Sequence, residues 1–174
     1  MHQLNDRHGI AITLLDLGDA LAGQGEVLGA EGNYAESLAL FRDLGHTWSI
    51  ARVLIRLGEL ARRQGRTERA WTYFTESLTL SAQLADKAGL AANLEGLARL
   101  AHLQGRWERG ARLFGVAAAV RERIGAPLSS EEAASDGEMI ATARTGLGET
   151  AFIAAWQAGQ CLSLEQAVQE GLEQ

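Results

Sequence analysis

The chain has 174 residues, 47% of them apolar, with one proline, one cysteine and a net charge of −6. That is too much apolar side chain for a disordered chain, and the single Cys161 excludes an internal disulfide or a multi-cysteine zinc site. The longest uninterrupted apolar run, Ala151–Trp156, is far short of a membrane span. The first residues have neither the basic nor the apolar region of a signal peptide, so the composition predicts a soluble, cytoplasmic protein.

The predicted elements begin with Ile10, Leu14, Leu17 and Leu21, spaced by 4, 3 and 4, which is one face of an α-helix. Gln24-Gly25 ends it, because glycine takes the left-handed conformation of a helix end without a Cβ penalty. Ala30, Tyr34, Ser37 and Leu38 give a second helical stripe. The pattern then returns in unbroken register as Ile50, Leu54, Leu57 and Ala61, then Gln64-Gly65, then Ala70, Phe74, Ser77 and Leu78. It returns again as Leu90, Leu94, Leu97 and Ala101, Gln104-Gly105, and Gly110, Phe114, Ala117 and Ala118. Short loops make the two helices of each unit antiparallel. A fixed period of this length, about 40 residues, predicts stacked units that bury their apolar faces against their neighbours.

After Gly125 the period stops. The residue before Pro127 avoids helix. Ser129 with Glu132 and Ser163 with Gln166 are capping boxes that open helices, and Glu149–Ala158 reads as a short helix between them. The expected architecture is all-α. It is a right-handed superhelix of about three antiparallel helix pairs over residues 1–125 (about 7–45, 46–85 and 86–125), with a C-terminal helical cap over 126–174.

Leu57-Gly58, Ala61, Gly65, Ala70, Phe74 and Ser77 match the tetratricopeptide motif in order and spacing. Leu17-Gly18, Leu21, Gly25, Ala30, Tyr34 and Ser37 match nearly as well, and the third copy has Ala98 for the helix-A glycine. The unit thus resembles the tetratricopeptide repeat, lengthened beyond that motif's standard unit of about 34 residues. Long units of this kind resemble the arrays of large bacterial regulators, the MalT-like and LuxR-type ATP-dependent transcription factors. The tail, through Ile124-Gly125-Ala126-Pro127-Leu128, Gly148–Phe152, Ala154–Gly159 and Leu162–Val168, resembles the C-terminal end of those regulators and of related kinases and cyclases. The resemblance implies a regulatory or protein-interaction module in signal transduction or transcription regulation, with an inducer-binding sensor as the alternative. Leu4-Asn5-Asp6 is in register with the helix-B ends Leu44-Gly45-His46 and Leu84-Ala85-Asp86, which predicts a C-terminal piece of a longer protein.

Catalytic chemistry has no positive sign here, so the chain is read as a non-enzyme without cofactor. Gly23–Gly29 follows a helix rather than a strand and lacks the lysine of a phosphate loop. His2, His8, His46 and His102 lack metal-ligand spacing; His8 and His46 are expected in loops or at helix starts. Glu131, Glu132, Asp136 and Glu138 suit a first helical turn. Charge runs from −5 over residues 1–45 to +3 over 46–80, +3 over 81–125 and −7 over 126–174. This is no concentrated stripe for nucleic acid.

The resemblance places helix-A residues on a concave binding face. They are Ile12, Asp16 and Asp19 from the first unit, Arg52, Ile55, Arg56, Glu59, Arg62 and Arg63 from the second, and Ala92, Glu95, Arg99 and His102 from the third. With Glu59 and Glu95 as the only near acids, the expected partner is an acidic protein or peptide. Exposed Ile10, Leu28 and Leu38 at the first unit predict either self-association or fraying there.

Overall fold

The computed structural model describes residues 2–173, with the backbone alone for residues 2–5. Every element among the described residues is an α-helix: α1 (His2–Gly23), α2 (Val27–Asp43), α3 (Thr47–Arg63), α4 (Thr67–Gln83), α5 (Lys87–Leu103), α6 (Trp107–Ile124), α7 (Ser130–Leu147), α8 (Glu149–Gln160) and α9 (Leu164–Leu172). Adjacent helices pack as pairs, as the period predicts.

From α2 to α5 each helix has 17 residues. A short turn separates each helix from the next between α1 and α6, with a left-handed residue at its centre. Those residues are Gly25, Gly45, Gly65 and Gly105, and in one case Ala85, at φ 52°. In each turn the residue after it donates its N–H back into the last helical turn, as His46 does to the Phe41 carbonyl and Arg66 to that of Ala61. This is the Schellman closure that satisfies the last helical carbonyls. The chain therefore stops a helix at a fixed interval, twice per repeat. α1 runs as one helix from His2, so no such turn interrupts it at Leu4-Asn5-Asp6. The packing of Leu4, like that of His2, lies outside the described residues.

The helices fall into two compact units, 1–80 and 81–174. In the first, α1 pairs with α2 and α3 with α4 through the same contacts moved by one repeat. The Ser37 hydroxyl donates to the Ala11 carbonyl at 2.7 Å, and that of Ser77 to the Ala51 carbonyl at 2.9 Å. A Cβ on Gly18 would lie 2.5 Å from the Tyr34 ring, and one on Gly58 2.8 Å from the Phe74 ring. The helix-A glycine is thus where the helix-B aromatic lies flat. Leu54, Leu57 and Leu60 of α3 join Ala11, Leu15, Tyr34, Leu38 and Phe41 in one core. Leu57 is buried as expected. Ile10 and Leu28 are exposed as expected, but Leu38 is buried, because it turns into the core against α3.

In the second unit α5 pairs with α6, and α8 crosses α6 at backbone distance. Cβ atoms on Gly115 and Gly159 would run into the Trp156 and Arg112 carbonyl oxygens. Both predicted capping boxes form, Ser129 with Glu132 and Ser163 with Gln166. Ala143 of α7 packs with Ala111, Phe152 and Ala155, beside Trp107 and Trp156.

Candidate functional site

Residues 48, 52, 55, 56, 59 and 63 follow one stripe of α3, at steps of three and four. Trp48 stands at its start, 46% exposed. The Arg52 guanidinium lies over the indole, 4.8 Å from its centroid, within the range of a cation–π contact. Ile55 is half-buried, and Ile12 of α1 is exposed. Arg56 reaches α1 and donates to Asp19 at 3.0 and 3.2 Å. Asp19 also accepts from the Tyr34 hydroxyl at 2.6 Å. Burial, then this bond, pushes the Tyr34 phenol well above its ordinary value, so it stays a donor. Glu59 holds Arg62 at 2.5 Å and Arg63 at 3.4 Å.

The expectation that only Glu59 and Glu95 stand near these arginines is therefore wrong. Asp19 neutralises Arg56, and counting Asp16 the face carries four arginines against three acids. Arg52 is the member with no ion-pair partner among the described residues. Sequence reasoning missed Trp48, although its place four residues before Arg52 on a helix was the signal.

The remaining predicted residues, Glu95, Arg99 and His102, lie on α5 in the other unit. Here the face is covered. Glu95 is only 4% exposed and takes a two-pronged ion pair from Arg121 of α6. Arg99 donates to both oxygens of Asp136 on α7, at 2.6 and 2.9 Å. Burial pushes the Glu95 carboxyl up, with Arg121 and then Arg99 pulling it back. Glu132 is held low by its bonds to Ser129, against burial, with Arg99 and Arg121 adding to the lowering. His102 is half-buried, and burial lowers its pKa.

The histidines are corrected in one respect. His8 sits inside α1, not in a loop or at a helix start, and its ring meets that of His46 edge-on at 5.0 Å, beside Phe41. No group of three potential metal ligands occurs among the described residues, and no described helix is long and apolar enough to cross a membrane.

Compared with known protein families, residues 49–123 match the tetratricopeptide repeat. Those residues, nearly all of α3 to α6, form tetratricopeptide-like repeats. No curated protein and no solved structure matches the chain. Tetratricopeptide repeats generally bind proteins or peptides and are generally non-catalytic.

Proposed function

We propose that the chain is a non-catalytic protein-interaction module, and that the α3 face with Trp48 and Arg52 at its head is where a partner peptide docks. The observation that carries this reading is an exposed tryptophan under an arginine on one helix of a packed pair. Trp and Arg are the residue types that most often dominate binding energy, and a helix holds them in place before the partner arrives. The complementary segment carries an apolar or aromatic side chain for Trp48, Ile12 and Ile55, and a carboxylate for Arg52.

The tail's resemblance to large bacterial regulators supports a wider setting, a regulatory segment of a cytoplasmic signalling or transcription-regulating protein. A small inducer needs an enclosed apolar site, whereas Trp48 and Ile12 are exposed, which favours a protein partner over the sensor alternative. The test is an array of peptides that pair one aromatic with one to three carboxylates, probed with the wild type, Trp48→Ala and Arg52→Glu. Each substitution is expected to weaken the bound peptides by about thirtyfold or more, the range of a hot spot. Arg52→Glu binding that equals the wild type for every peptide overturns the reading. Arg52 is the cleaner target, because reversing Arg56 or Arg63 also breaks their ion pairs with Asp19 and Glu59.

A further inference from the structure

The two halves of α7 are held by different forces. Its C-terminal half packs Ile140, Ala143 and Leu147 against Trp107, Phe152 and Trp156, and Gly146 lies flush on the Trp107 ring. In its N-terminal half, residues 130–135 are all exposed, and Asp136 is the one buried side chain, at 2% exposure. That carboxylate is gripped at both oxygens by Arg99. One turn earlier, the Glu132 carboxylate accepts from the Ser129 backbone and hydroxyl, with Arg99 and Arg121 adding a smaller favourable charge. Gly137 lies inside this continuous helix, between the halves, where a glycine weakens a helix interior by about 1 kcal/mol relative to alanine. The link before α7 is non-helical from Ala126 to Ser129.

We propose that residues 130–138 are a displaceable internal ligand. They occupy a two-arginine face of the third repeat, Arg99 and Arg121, that also accepts an acidic helix of a partner protein carrying carboxylates one helical turn apart. The occupant's chemistry is read from α7 itself, whose Asp136 is bound by Arg99 and whose Glu132, one turn earlier, is tied to Ser129 in the capping box with the arginine charges as a lesser influence. Arg121 is already committed to Glu95 and to the Ala126 carbonyl, so Arg99 supplies the direct grip and Arg121 the surrounding positive field. A partner helix that takes Arg99 frees the N-terminal half of α7, while the apolar C-terminal half stays docked. Binding at this face thus has a readout inside the chain, the release of residues 130–138. The inference stands on α5, α6 and α7 and is independent of the Trp48 face.

The probe is a fluorescein-labelled peptide with the sequence of residues 128–147, titrated against the full chain by fluorescence anisotropy. In the wild type the internal segment competes with it. Asp136→Ala in the chain removes that competitor, and the peptide is expected to bind about tenfold tighter, since apparent affinity scales with the fraction of open sites. Adding Arg99→Glu to Asp136→Ala is expected to abolish the gain. No gain with Asp136→Ala, or a gain that survives Arg99→Glu, overturns the proposal. Hydrogen exchange on the unmodified chain gives a second reading that needs no variant to fold. Amides 133–138, which are hydrogen-bonded within α7, are expected to exchange about tenfold or more faster than those of 152–160, as locally opening segments do. Equal protection of the two segments overturns the proposal as well.

Discussion

α1 and α5 are the same helix of the repeat, and they are covered very differently. Leu17 of α1 is 47% exposed while Leu97, its counterpart on α5, is 3% exposed. Ile10 is open where Leu90 is buried. The inner side differs too. Leu15 of α1 belongs to an apolar core with Phe41, whereas the matching positions on α5 and α6 are Glu95 and Arg121, joined as an ion pair. The period therefore dictates what each helix does within its own pair. What covers the outside of the pair, and whether an apolar or an ionic contact closes it, is decided repeat by repeat.

The largest expected effect tests the ionic substitution. Glu95→Ala leaves the Arg121 guanidinium without its carboxylate in a mostly buried place, and should lower stability by about 3–5 kcal/mol in urea melts. Glu95→Leu with Arg121→Phe restores the residue types of the first repeat and should be near neutral or stabilising, because replacing a whole buried pair by packed apolar groups removes its desolvation cost. If the double variant is as unstable as the single one, the pair does more than fill the place of Leu15 and Phe41.

Next in size is the contrast between the two leucines. Leu97→Ala should cost about 2–5 kcal/mol through lost burial and a residual cavity. Leu17→Ala should cost well under about 1 kcal/mol, since surface changes seldom exceed about half that. Equal losses in denaturant melts would mean that α1 is covered in solution by something other than α2 and α3.

Much of this fold was legible because its signals are local. Gly25, Gly65 and Gly105 mark helix ends, Ser129 and Ser163 mark helix starts, and the leucine steps in α3 and α5 give the buried face. The candidate site was less legible because its contacts join distant segments. Asp19 lies 37 residues from Arg56, and Asp136 lies 37 from Arg99. Neither spacing belongs to a single helix, so the arginines read as a surplus of charge when most are matched. Leu38 was misplaced for a related reason. Its exposure depends on α3 packing across α2, which the period of one helix does not report.

A smaller effect separates the turns. Ala85 takes the left-handed conformation that Gly45 takes at the equivalent turn. For a residue with a Cβ this is strained, by about 1–2 kcal/mol. Glycine relieves it but gains freedom in the unfolded chain, so Ala85→Gly should raise stability by a net amount of about 0.5–1 kcal/mol. Gly45→Ala should do the reverse. Thermal melts of the two variants check both signs, and a loss of stability in Ala85→Gly would show that the alanine methyl makes a packing contact worth more than the strain.

The smallest effect concerns pH, and it separates the covered face of α5 from the rest of the chain. Ser129 is the main cause that holds the Glu132 carboxyl below its ordinary range, with the charges of Arg99 and Arg121 adding to it and burial opposing it. A carboxyl whose pKa is lower folded than unfolded contributes stability above its unfolded value, near about 4.3, and loses it as pH falls through the folded value. Glu95 runs the other way, since burial raises it, and protonating it weakens its pair with Arg121 without opposing folding of its own helix. Acidification from pH 7 should therefore loosen the start of α7 while α5 and α6 keep their helicity. Amides 133–136 should lose exchange protection, corrected for the intrinsic rate, as the pH falls below the ordinary glutamate value of about 4.3. Protection that falls together across α5, α6 and α7 would mean that the segment opens only with the whole unit, and that the Glu132 carboxylate is not what holds its start.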